Sequence, residues 1–213
     1  MTFDFYTMAV SLPAIVLGLT VHEFAHAWAA DRLGDRTARY AGRLTLEPWA
    51  HLDPVGLLMI LFYRFGWARP VPVDPRQMRS PGRGLAISAL AGPVANLLLA
   101  FVFGLLWAAD VAGHVAPGVG EHLARIIANG VLINAGLFVF NLLPLPPLDG
   151  ARLVAGLAPV EQWPWWDSLT RFGPLLLLGI LVTGAGSAVV GALADYVISM
   201  IVSLSTALVR LFT

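Results

Sequence analysis

MAVSLPAIVLGLTVHEFAHAWAA, residues 8–30, reads as a membrane helix except at His22, Glu23 and His26. Each ionisable group at membrane depth costs about 2.5 kcal/mol or more. Three of them within five residues therefore imply a function that holds them there.

The composition puts this run in a bilayer. Of 213 residues, 58% are hydrophobic and 12% charged, and the mean hydropathy is +0.76. Those values exclude an ordinary soluble domain. Thirteen arginines balance thirteen acids, which excludes a globally basic nucleic-acid binder. The chain has neither lysine nor cysteine, so disulfides and thiolate metal sites are excluded and any metal must be held by nitrogen and oxygen. The opening MTFDFYTM has an acid and no base, which argues against a cleavable signal peptide.

Apolar stretches fall at about 6–30, 54–66, 85–109, 123–143, 172–185 and 188–209, separated by polar segments too short to be domains. The expectation is an all-α polytopic bundle of about five to six membrane segments forming one domain over 1–213. The catalytic core would cover about 6–155, and C-terminal helical segments about 168–213. Nine of the thirteen arginines, Arg32 to Arg83 with Arg64 among them, lie between the first and third stretches and place that region in the cytoplasm. The 54–66 stretch is too short to span and flanked by arginines, so it is expected to dip in or lie on the surface, with the N-terminus outside. Within the arginine-rich region, residues 38–46 and 69–73 carry β-type residues bounded by prolines, which predicts short β-strands on the cytoplasmic side.

On a helix, His22 and His26 share a face about 6 Å apart, which suits two imidazoles on one tetrahedral zinc. Glu23, directly after the first, is placed to act on water as a general base. A third ligand is required. His114 and His122 fall in or beside a loop expected on the opposite side, and His51 lies in EPWAHLDP on the arginine-rich side. The strongest candidate is Asp149 in NLLPLPPLDGARL, where Pro144, Pro146 and Pro147 cannot continue a helix. The chain must unwind there, and such backbone is tolerated at membrane depth only inside protein or beside a wet cavity. Asn134 and Asn141, seven apart, share a helix face that points inward, and Asn96 is a second inward amide.

These residues resemble the site-2 protease family of intramembrane zinc metalloproteases, marked by H-E-x-x-H on one span and L-D-G on a later one. His22, Glu23 and His26 match the first mark and Leu148-Asp149-Gly150 the second. GRLTLEPWAHLDPVG at 42–56, FGWARPVPVDP at 65–75, AGPVANLL at 91–98 and FNLLPLPPLDG at 140–150 look like the short bacterial and archaeal branch without PDZ or CBS domains. Glu47 and Asp74 stand where that branch often has asparagine. The resemblance implies one zinc per chain on His22, His26 and Asp149, Glu23 as the base, and Asn141 as a contact to the scissile region. It also implies a multi-pass protein of the cell membrane with its active site toward the cytoplasm, acting on membrane-embedded protein substrates. The extended edge at Leu44 to Leu46 is expected to be either a docking edge that accepts an unwound substrate as an added strand or a plain structural strand. A transporter and an inactive relative serving as a membrane scaffold are the competing classes.

Overall fold

The computed structural model describes residues 5–63, 66–114 and 116–212. Residues 1–4, on which part of the signal-peptide expectation rests, and Arg64 lie outside them. The described residues form helices α1 (Phe5–Leu33), α2 (Thr37–Tyr40), α3 (Pro48–His51), α4 (Pro54–Tyr63), α5 (Pro81–Ala108), α6 (Pro117–Asn141), α7 (Asp149–Leu157), α8 (Trp166–Thr183) and α9 (Ser187–Val209).

Four of these are long and apolar enough to cross a membrane: α1, α5, α6 and α9. Four candidate spans among the described residues do not confirm the expected five to six membrane segments. The ten residues of α4 extend only about 15 Å, half the hydrocarbon thickness. Helix α8 has 18 residues, but Asp167 and Arg171 occupy its first turns.

α1, α5 and α6 form the centre of the bundle. His22 of α1 meets Asn96 of α5, and His26 meets Ser88, so contacts run down α5 as they run up α1. The two helices are antiparallel. The Arg79 amide donates to the carbonyl of Leu33, which returns the chain after α1 to the end of the bundle where α5 starts. α6 runs with α1, because Tyr6 meets His122 and Gly18, further along α1, faces Asn134.

Small residues let these helices approach closely, as expected where lipid offers no hydrophobic driving force between spans. A Cβ on Gly130 would enter the ring of Phe103, and one on Gly104 would lie 2.7 Å from atoms of Ile201 and Ser205. Ala100, Phe103, Ile127, Val131, Ala135 and Ile201 make the core that joins α5, α6 and α9. A second cluster of Ile15, Leu19 and Leu52, with Leu57 and Ile60 against it, seats α4 on α1.

The expected β-strands are absent among the described residues; an isolated antiparallel bridge between Leu52 and Ala68 is recorded instead. The physical reasons are local. Asp35 Oδ1 accepts the Thr37 amide and starts a helical turn, and Gly42 at φ 68° then reverses the chain, so 38–46 never extends as a strand. Leu44 to Leu46 therefore offer no strand edge. Residues 69–73 form no strand, because Pro70 and Pro72 have no N–H and the carbonyls of Arg69 and Pro70 accept from the buried Arg43 guanidinium. Side chains have taken the place of a neighbouring strand.

Candidate metal centre

Three side chains from two helices converge on one buried point. α1 supplies His22 and His26 one helical turn apart, and α7 begins with Asp149. Between α6 and α7 the prolines break the helix. Gly150 lets α7 start tight against the end of α6, where a Cβ would collide with the carbonyls of Leu142 and Leu143. α7 lies against the start of α5, with Gly156 and Gly82 at the contact.

His22 Nε2 and His26 Nε2 lie 3.0 Å apart, and Asp149 Oδ2 lies 3.1 Å from the first and 3.2 Å from the second. All three side chains are buried. The other nitrogen of His26, Nδ1, is 2.6 Å from the Ser88 carbonyl, which can only accept; Nδ1 therefore carries the proton and Nε2 presents its lone pair to the cluster. A carboxylate oxygen and imidazole lone pairs pointed at one another repel unless a cation stands between them. A tetrahedral ion about 2.0–2.1 Å from each donor would hold them about 3.3 Å apart, close to what is seen. The donor set fits zinc, and it is the metal-ligand grouping found among the described residues.

Gly92 completes the cradle. A Cβ there would run into His26 Nε2 and lie 2.7 Å from His22 Cε1, so α5 leaves open the space that the imidazoles fill. Pro93 follows it and has no N–H for the turn of α5 that also carries the Ser88 carbonyl.

Glu23 is buried beside the cluster, and its Oε2 accepts the backbone N–H of Val71 at 2.9 Å. Asn141 sits half-buried at the end of α6, its amide donating to the Leu137 carbonyl at 3.0 Å. None of its recorded hydrogen bonds reaches the cluster. His51 is fully buried elsewhere, its Nε2 donating to the Thr45 carbonyl at 2.7 Å. His114 bonds the Asp110 carbonyl and His122 the Tyr6 hydroxyl, at the opposite end of the bundle. Ser88, Gly92 and Val71 contribute through backbone or through the lack of a side chain, and no side-chain motif could have marked them.

YwhC of Bacillus subtilis (strain 168), provisionally named a zinc metalloprotease, is 41% identical over 175 residues, covering 81% of this chain and 80% of its own. The chain belongs to the site-2 protease family. Another relative of this zinc metalloprotease type is Rip2 of Mycolicibacterium smegmatis, also provisionally named, 32% identical over 80% of this chain. RseP of Escherichia coli, a regulator of sigma-E protease, is 32% identical over 70% of this chain. The chain spans 65% of that Rip2 and 36% of RseP. No family model and no solved structure matches. With four helices among the described residues long and apolar enough to cross a membrane, this site-2 type zinc metalloprotease is a membrane enzyme, which the relatives support over a transporter or a scaffold.

Proposed function

We propose that this site-2 protease hydrolyses peptide bonds in or near the transmembrane segments of membrane proteins, with one zinc per chain held by His22, His26 and Asp149. The observation that carries the reading is the convergence of two Nε2 atoms and one carboxylate oxygen, with Glu23 alongside. Zinc, when bound, supplies Lewis acidity and makes water acidic enough to yield a proton near neutral pH.

Glu23 takes that proton as the water oxygen bonds to the peptide carbonyl carbon, and returns it to the amide nitrogen as the C–N bond breaks. The Val71 amide on Oε2 fixes the carboxylate and leaves its other oxygen for the proton. Asn141 is the proposed donor to the oxyanion, for which its amide must leave the Leu137 carbonyl. The low-dielectric surroundings of the buried cluster strengthen each of these interactions.

The chain is multi-pass, with the site toward the cytoplasmic part of the membrane. Support comes from the arginines of the 34–80 region, which joins α1 to α5 at the end of the bundle nearest the cluster. The substrate is a membrane-embedded protein segment, and the domain is one unit over 1–213 in which α1, α5, α6 and α7 carry the chemistry. Purified protein in nanodiscs, given a membrane-embedded test substrate, should cleave it and should hold one zinc per chain. Cleavage undiminished after complete zinc removal would defeat the reading.

A further inference from the structure

Asn96 and Asn134 are fully buried, and together they link the three central helices. A plain account makes them interhelical glue. Their hydrogen bonds say more, because the pattern has a direction. Asn134 Nδ2 donates to the Gly130 carbonyl at 2.9 Å. A backbone carbonyl accepts and never donates, so this contact turns the Asn134 oxygen away, toward Asn96. Asn96 Nδ2 then donates to that oxygen at 2.9 Å and to the Gly18 carbonyl at 3.0 Å. Both hydrogens of Asn96 are spent on groups that only accept. Its oxygen must therefore face His22 Nδ1, at 2.6 Å.

We propose that Asn96 is a positioning residue that fixes the proton of His22 on Nδ1, and that Asn134 and the Gly18 carbonyl hold Asn96 the right way round. The Nε2 lone pair of His22 is thereby kept free and aimed at the cluster. A reversed Asn96 would set its oxygen against two other acceptors and its amide against the ring, and would let the proton move to Nε2, where it blocks metal binding. Gly18 makes room for the relay, since a Cβ there would lie 2.7 Å from Asn134 Oδ1. His26 obtains the same orientation directly from Ser88, so the two histidines are set by independent means.

The proposal rests on the reading of His22 as a zinc ligand, and its test has an arm that does not. In zinc-free protein labelled with nitrogen-15 at histidine and held in nanodiscs, His22 and His26 should both carry the proton on Nδ1. Asn96→Leu should bring in the Nε2-protonated form of His22, leave His26 unchanged, and weaken zinc in chelator competition by about 10- to 100-fold. Asn96→Asp restores an acceptor toward His22 and should return its proton to Nδ1, while its second oxygen, set against the Gly18 carbonyl and Asn134 Oδ1, keeps zinc affinity below wild type. Asn134→Leu should cost less, because the Gly18 carbonyl still orients Asn96, and it serves if the Asn96 variants do not fold. Wild-type His22 protonated on Nε2 would overturn the relay. An Asn96→Leu protein with unchanged tautomer would do so too, as would an Asn96→Asp protein whose His22 carries its proton on Nε2. If His22→Ala keeps its zinc, the ligand reading falls, and the tautomer measurement still decides the relay by itself.

Discussion

Glu23 Oε2 and the amide of Val71 meet at 2.9 Å, so the carboxylate beside the metal cluster is held by backbone 48 residues further along the chain. That backbone is braced in turn by Arg43, which donates to the carbonyls of Arg69 and Pro70. Removing the acid and loosening its holder should have separable effects.

Glu23→Gln keeps an oxygen for the Val71 amide and loses the proton acceptor. Zinc content should stay at wild-type level while cleavage of a membrane-embedded substrate falls by about 10²- to 10⁴-fold. Near-normal turnover would remove the general-base role.

Arg43→Met should retain zinc, because Arg43 makes no recorded contact with the cluster, and should lower kcat by roughly 10- to 100-fold through a misplaced Glu23. Lysine should not restore it, since one ammonium does not reproduce the two guanidinium N–H bonds to successive carbonyls. A purely substrate-binding role would instead raise KM with kcat unchanged.

Asp149→Ala should lose most of the zinc measured by elemental analysis, and His51→Ala should lose none. The His51 ring is tied to the Thr45 carbonyl and takes no part in the recorded ligand cluster. The reverse pattern would reassign the third ligand.

Gly92→Ala tests the cradle. The added methyl meets both imidazoles, so zinc affinity should drop by at least about 10-fold while the helical circular dichroism stays unchanged. Unaltered affinity would show that the rings have room to spare.

Topology can be read from single cysteines, since the chain has none of its own. Thr37→Cys and Ser80→Cys should be shielded from an impermeant thiol reagent in intact cells, and Ala109→Cys labelled. Labelling of one of the first two without the other would mean that α4 crosses, which its ten residues forbid.

The sequence and the structure agree where side chains carry the information. His22, Glu23 and His26 announce themselves because charge in an apolar run demands a reason, and the prolines before Asp149 mark the break that brings it in. The expectation failed at 38–46 and 69–73, where alternating β-type residues looked like strands. What decided those segments was competition for backbone groups: Asp35, just before the first segment, holds its opening turn, while Arg43 from within the first segment and Glu23 from α1 take up the backbone of the second. The asparagines were legible as inward-facing amides. Their order of donation was not, because it depends on the Gly18 and Gly130 carbonyls, and a carbonyl is present at every residue.

The stretch from Arg69 to Val73 carries one more consequence. Two of its five residues are prolines, the Arg69 amide donates to the His51 carbonyl, and the Val71 amide is spent on Glu23. At most one donor remains, and the first two carbonyls are covered by Arg43. A segment with so little left to offer is a poor template for pairing with its counterpart in a neighbouring molecule. The bonds that hold Glu23 therefore also leave this segment little free edge for another chain to pair with.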